Sequence, residues 1–432
     1  MQRFADIPGE PIRMLGPIQG YEKMPLVSLE HAVEPLESYV PDVKRMVWMV
    51  KQNCDSPADG LTVDQSASIM LYTLEWTPRE RSFYFAFNGV LRSEDRNKLK
   101  PWFLYLKLLI ISLSKLPSSL RTVYRVILHI LANARWTPNG VTVAGGRGAG
   151  NTTDRLSKPY SLFVTNDQTV VIADTDNHRI VQWKINDTNG QVVAGGHGKG
   201  NGLNQLNCPT DVLVDKETDS LIICDRWNRR VMRWSRQRGT SQGEILVDNI
   251  LCWGLAIDNQ RYLYVSDNEK HEVRRFQIGN KNETIVAGGY GKGSAVNQLS
   301  EPRYIFVDQQ QAVYVSDKNN HRVVKWNKGA EEGIIVAGGK GNGEALTQLS
   351  HPSGLFVDNL CTVYVAEQWN HRVMRWTEGA AQGTVIAGGK GEGQKENQFY
   401  TPMGLCLDRH GHLYVADCDN HRVQRFSIEQ TH

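Results

Sequence analysis

From residue 139 onward the chain is written in short apolar runs, β-branched or aromatic, each bounded by Gly, Asn, Asp or Pro. One unit reads GLFVD from Gly354, TVYVAE from Thr362, HRVMRW from His371 and GTVIAGG from Gly383. Alternation predicts strands: in HRVMRW, Val373 and Arg375 point to one face, Met374 and Trp376 to the other. The third run carries a signature. NHRVMRW at Asn370–Trp376 returns at Asn177–Trp183, Asn228–Trp234, Asn320–Trp326 and Asn420–Phe426, with a worn copy, KHEVRRF, at Lys270–Phe276. Successive copies are 51, 42, 50, 50 and 50 residues apart.

A period of this length with four strands per unit is the mark of a β-propeller blade. Six triplets of strands are present, and the last, Arg422–Ser427, has no fourth strand after it. A strand of the missing kind, Val141–Gly146 (VTVAGG), precedes the first triplet. It can complete the last blade and remove an exposed edge, so six blades are expected. These repeats closely resemble the NHL-repeat family over about residues 139–428. The resemblance implies a six-bladed propeller used mostly as a binding platform, and it names no ligand.

Upstream the pattern changes. Residues 1–40 are Pro-rich and read as an extended or disordered leader. Arg45–Gln52 (RMVWMVKQ) reads as a strand. Thr62 and Gln65 are spaced as a capping box, ahead of a helix with Ala67, Met70, Leu71 and Leu74 on one face. Pro101 opens a long helix through Leu113 that buries Phe103, Leu104, Lys107 and Leu108. Trp102–Leu116 is the most apolar run, yet Lys107 interrupts it and it is shorter than the roughly 20 residues a membrane span needs. Thr122–Leu128 (TVYRVIL) reads as a strand.

Residues 41–135 resemble part of the arginine-specific mono-ADP-ribosyltransferases. The matching residues are Leu71-Tyr72-Thr73, Phe87-Asn88, Leu91-Arg92, the WFLYLKLLIISLSKL helix and Thr122-Val123-Tyr124-Arg125. The resemblance implies that Arg125 is the arginine holding the NAD diphosphate, by a guanidinium fork on phosphate oxygens. Val126 replaces the family's Gly, the Ser-Thr-Ser strand is missing, and no Glu-x-Glu occurs in the sequence. The expectation is a vestigial, inactive segment. The whole fold is then mainly β: a six-bladed NHL-type propeller closed by an N-terminal strand, preceded by a small α+β ADP-ribosyltransferase-like remnant.

Charge and cysteines narrow the partners. Residues 1–140 hold 17 Lys+Arg and 14 Asp+Glu, and the rest of the chain holds 32 of each. A neutral propeller lacks the broad basic field of a nucleic-acid binder. Seven scattered cysteines without a CxxC pair argue against structural disulfides and for a reducing compartment. With no secretory signal pattern, a cytoplasmic location is expected.

The candidate chemistry mostly reduces to architecture. His178, His321, His371 and His421 each belong to a different blade, so they cannot converge on one metal ion. Their expected partner is the acid ending the preceding strand: Asp174, Asp317, Glu367 and Asp417. The runs GGRGAG, GGHGKG, GGYGKG, GGKGNG and GGKGEG follow outer strands and lead to inner ones, so they read as inter-blade connectors and not phosphate loops. Relatives that act as amidating lyases ring the channel mouth with His. The positions here are Tyr160, Thr210, Trp253, Arg303, Ser353 and Met403.

Function is expected where the repeats disagree, on the face shared by the connectors and the hairpins between second and third strands. The binding-face candidates are Arg147, Tyr160, Arg226, Trp227, Trp253, Tyr290, Arg303, Lys340, Trp369 and Lys390, residues of the kind that anchor interfaces. Between Val247 and Gly254 the Gly connector is missing, which predicts a lower rim above Cys252 and Trp253. The sequence thus reads as a protein-interaction platform, monomeric, without metal, membrane or DNA partners. Single-stranded RNA is the first alternative, with aromatic stacking and Arg/Lys on phosphates. The second is NAD-dependent arginine ADP-ribosylation, which needs a substitute Glu or a longer gene product. NAD is expected as a cofactor only in that case.

Overall fold

The computed structural model describes residues 21–40, 42–52, 54, 61–73, 95–115 and 134–429 apart from positions 166, 238, 281, 359, 360 and 409, together with Phe83, Ala86, Phe87 and Val90. Met1–Leu128 and His129–Gln430 form separate compact units.

The second unit is a six-bladed β-propeller of six four-stranded sheets. Blade 1 runs Pro159–Val164, Val170–Asp174, Arg179–Trp183 and Gln191–Gly195 from the axis outward. The inner strands of blades 2 to 6 are Pro209–Asp215, Cys252–Ile257, Pro302–Val307, Pro352–Val357 and Pro402–Leu407. In the sixth sheet the outer strand is Val141–Gly145, antiparallel to Arg422–Phe426 with Val141 opposite Arg425 and Gly145 opposite Arg422. The inner strand of blade 1 packs against that of blade 6, so the ring is continuous.

Second strands such as Val313–Asp317 are buried on both faces, sandwiched between neighbouring blades, so they read as mostly apolar runs closed by an acid and do not alternate. Each third strand turns an aromatic inward, and Trp183, Trp234, Trp326, Trp376 and Phe426 are all buried. Around the axis the inner strands come very close. A Cβ added at Gly254 would stand 2.5 Å from the Arg303 carbonyl oxygen, so only glycine admits that approach.

Every described element of the first unit is helical, which corrects two expectations. Val43–Gln52 is a helix, not a strand. Val43, Met46, Val47 and Val50 are buried at helical spacing, while Trp48 faces out. The leader also orders from residue 21: Leu29–Val33 is a helix capped by Ser28, and Leu29, Val33, Leu36 and Val40 enter the core. The Thr62/Gln65 capping box forms in both directions, at 3.0 and 3.2 Å, ahead of the helix Val63–Thr73. Phe103–Lys115 follows a 3₁₀ turn containing Pro101, and its buried face is Tyr105, Leu106, Leu108, Leu109 and Ser112, rotated from the expected one. Phe83, Phe87 and Trp102 pack at ring-centroid distances of 5.0 to 6.2 Å. Arg125, Leu91-Arg92 and the expected strand Thr122–Leu128 lie outside the described residues. Among the described residues, no helix is long and apolar enough to cross a membrane.

Candidate binding site at the propeller mouth

Antiparallel order places the hairpins between second and third strands on the same face as the connectors, and hydrogen bonds tie the two together. In blade 4 the Asn320 amide donates to Gly293 O and to Asp317 Oδ2, each at 2.7 Å. Arg322 donates from Nε to Asp317 and from its two terminal nitrogens to the Ser294, Ala295 and Gln298 carbonyls. Asp317 Oδ1 accepts the Ser300 N–H. The same lock recurs as Asp174/Arg179, Asp225/Arg230, Glu367/Arg372 and Asp417/Arg422. The Gly-rich runs are thus connectors folded over hairpins. The Gln205, Gln298, Gln348 and Gln398 amides close them by donating to the carbonyls of His197, Tyr290, Lys340 and Lys390.

The acid therefore pairs with the arginine of the motif, not with the expected histidine. The histidine backbone is left-handed, with φ near 53° at His178, His321 and His421, and its ring serves the next blade. His178, His271, His321, His371 and His421 accept at Nδ1 the N–H groups of Cys208, Glu301, His351, Thr401 and Lys158, at 3.1 to 3.2 Å. Among the described residues, no group of His, Cys, Asp or Glu is arranged to hold a metal ion.

Inside the ring of locks lies the mouth. Tyr160 stacks on Trp253 with ring centroids 5.8 Å apart. The Arg226 and Arg303 guanidiniums lie 4.4 and 4.1 Å from the same indole centroid. Met403 sulfur meets Ser353 Oγ at 3.6 Å, Arg303 Nη1 at 3.7 Å and the Gln368 amide. Thr210 Oγ1 donates to Trp253 O at 2.8 Å. The Tyr304 hydroxyl reaches across from blade 4 to Tyr160 O at 2.7 Å and Thr210 O at 3.3 Å. Burial pushes the Tyr160 phenol up to about 12, so it enters the site as a neutral donor.

Four binding-face candidates, Tyr160, Arg226, Trp253 and Arg303, are thus brought together. Trp253 is only 4% exposed, so it is the floor of the site and not the surface anchor its variability suggested. Trp227 and Trp369 are 54% and 61% exposed on blades 2 and 5, opposite each other in the ring. Trp369 leans on His351 at 3.7 Å, and Arg226 lies 4.5 Å from the Trp227 ring. Arg147, Tyr290, Lys340 and Lys390 stand exposed on separate connector tips around the rim. Thr175, Asn268, Lys318 and Cys418 complete a second tier that sequence reasoning passed over. Each follows the acid ending a second strand, the position that Arg226 and Gln368 also occupy, and that register was the available signal. Thr175 and Asn268 bond the next blade's Pro209 and Pro302 carbonyls.

Where the connector is missing, Cys224 and Cys252 form a disulfide, with Cα atoms 5.8 Å apart. This corrects the expectation of none. Cys224 is next to last in the second strand of blade 2 and Cys252 opens the inner strand of blade 3, a proximity created by ring packing, and the cysteine argument for a reducing compartment falls with it. One groove of about 490 Å³ lies elsewhere, between the outer parts of blades 3 and 4, lined by Ile285, Tyr290, Trp326 and their neighbours.

The NHL-repeat profile matches residues 399–426, which hold the three inner strands of blade 6. Blade 6 is an NHL repeat. The lock Asp417/Asn420/Arg422 lies inside that NHL repeat, and blades 1, 2, 4 and 5 repeat its acid–arginine pair, whereas blade 3 has Glu272 at the arginine position. No curated protein matches the chain. Among solved structures, a protein of unknown function from Bacteroides thetaiotaomicron is 17% identical with a TM-score of 0.55, covering 67% of this chain and 76% of its own. An auxiliary nutrient binding protein from the same organism is 16% identical with a TM-score of 0.54, at 69% and 78%. A putative phosphatase, also from that organism, is 15% identical with a TM-score of 0.54, at 69% and 80%. At these identities the shared property is the fold.

Proposed function

We propose that the propeller is a protein-interaction platform whose working face carries the connectors, the hairpins and the mouth. The observation supporting this most directly is the pair of exposed tryptophans, Trp227 and Trp369, on opposite hairpins flanking the mouth. Tryptophan at an exposed, variable position is the residue type most enriched among interface anchors, and the polar locks beneath hold its backbone rigid. A propeller of the same fold is described as nutrient-binding, but a fold by itself does not carry a ligand across.

The test uses the full chain with a photo-crosslinker beside Trp227. A specific protein cross-linked to wild type and lost from Trp227→Ala/Trp369→Ala is the expected result, each substitution weakening binding by about 2 kcal/mol. Tight binding of oligouridylate that collapses at high salt, with no protein cross-linked, would overturn it in favour of RNA.

A further inference from the structure

Arg303, on the inner strand of blade 4, is 8% exposed. Among the described residues no carboxylate pairs with it: its Nε has no partner, and Nη1 reaches only the Met403 sulfur. Arg226 beside it also has a partnerless Nε, and its Nη2 meets only Asn268 Oδ1, at 3.3 Å. The buried arginines of the locks are matched to acids. A buried guanidinium without a counter-ion carries a desolvation penalty that nothing offsets. Burial accordingly lowers Arg303 to about 10 and Arg226 below its usual value.

The surrounding charges define what would fit. Lys318 is held by Glu301 at 2.7 Å. Glu301 is thereby engaged by Lys318, and among the described residues neither Arg226 nor Arg303 makes an ion pair with an acid. Both guanidiniums lie against the Trp253 ring, which leaves their in-plane edges as donors.

We propose that the mouth is a carboxylate-binding site, in which Arg303 and Arg226 receive one singly charged carboxylate beside Tyr160 and Gln368. A planar carboxylate matches a guanidinium edge with two parallel hydrogen bonds. A polyanion would need a basic surface that a propeller with 32 bases and 32 acids lacks. The site rests on the platform reading and names the group a partner protein inserts, a C-terminal or side-chain carboxylate. A free organic acid presents the same group.

Calorimetry and thermal unfolding of the full chain test this with four probes: benzoate, an acetylated peptide with a free C-terminus, the same peptide as its C-terminal amide, and inorganic phosphate. The free-carboxylate peptide should bind and raise the unfolding midpoint, and its amide should bind at least tenfold more weakly. Benzoate binding more tightly than the peptide would keep the site and assign it to a free acid. Arg303→Met should unfold at a higher temperature than wild type without ligand, because an uncompensated charge is gone, and should lose the response to the probes. Arg226→Gln should weaken binding at least tenfold, and it carries the test if Arg303→Met does not fold. The proposal is overturned if neither carboxylate probe binds wild type, if both variants bind as wild type does, or if phosphate binds more tightly. Should it fail while the Trp227- and Trp369-dependent cross-link persists, the platform reading stands alone. Loss of both removes both.

Discussion

Arg322 Nε donates to Asp317 Oδ2 at 2.7 Å, and both side chains are buried. The pair joins hairpin, connector and second strand of blade 4, because the remaining Arg322 donors are spent on three connector carbonyls. Removing the arginine leaves a buried carboxylate without its cation. Arg322→Ala should therefore cost about 3–5 kcal/mol of unfolding free energy, read by urea denaturation. Arg322→Lys should recover only part, since an ammonium cannot reproduce the fork. A variant within error of wild type would show the lock to be ornamental.

The disulfide makes a separate prediction. Cys224 and Cys252 are 28 residues apart, and closing a loop of that length stabilises the fold by about 3.5 kcal/mol. Reduction should lower the thermal midpoint of wild type and leave Cys224→Ser/Cys252→Ser unmoved. Thiol titration of the unfolded, unreduced chain should count five free cysteines. A count of seven would sink the bridge.

Much of the propeller was legible because five of the six blades repeat one set of obligations, blade 3 being the worn copy with Glu272 at the arginine position. Asn320, Arg322 and Asp317 must all meet the same connector, so their spacing recurs and the period shows. The misreadings have physical causes too. His321 follows Asn320 in sequence, yet its left-handed backbone turns the ring toward the next blade, and nothing in a single repeat encodes that direction. Cys224 and Cys252 meet only because consecutive blades pack side by side. The register placed Trp253 and Arg303 at the channel mouth, but their burial there depends on side chains converging from several blades, which no single repeat encodes. Val43–Gln52 was ambiguous for a different reason: a short apolar run fits strand and helix alike until a partner surface selects its period.

The inter-blade histidines predict a local response to pH. An imidazole that accepts a backbone N–H at Nδ1 must be unprotonated there, and burial holds His178, His271, His321 and His371 below the usual value. Folded values lie below the unfolded one of about 6.5, so this stabilisation is complete above that pH and is lost as pH falls. Asp211, raised to about 7 by burial, works in the opposite sense: its contribution is present below about 3.9 and lost as pH rises through its folded value. The global midpoint therefore mixes the two. Hydrogen exchange at the Cys208, Glu301, His351 and Thr401 amides isolates the histidines, and it should show protection falling between pH 7 and about 5 after correction for intrinsic rates. Unchanged protection would mean the imidazoles bind the proton without releasing the amides.

The closure of the ring predicts where the molecule first opens. Val141–Gly145 is held to blade 6 by its pairing with Arg422–Phe426, and just before it Trp136 acts as a clasp. Its indole N–H donates to Gly411 O at 2.8 Å, its ring meets Tyr364 edge-on at 5.9 Å, and Arg375 donates to the neighbouring Ala134 O at 2.9 Å. The clasp thus reaches blades 5 and 6 at once. Trp136→Ala removes a buried aromatic and should cost about 3–5 kcal/mol. The loss should fall unevenly. Without the clasp the strand ends sooner and more often, and each release exposes the Arg422–Phe426 edge to solvent and to other chains. Hydrogen exchange in the variant should rise across Val141–Gly145 and its partner strand before it rises in blades 2 to 4, and aggregation on heating should begin earlier. If exchange rises only before Val141 while the strand stays protected, the pairing alone closes the ring and Trp136 merely packs against it.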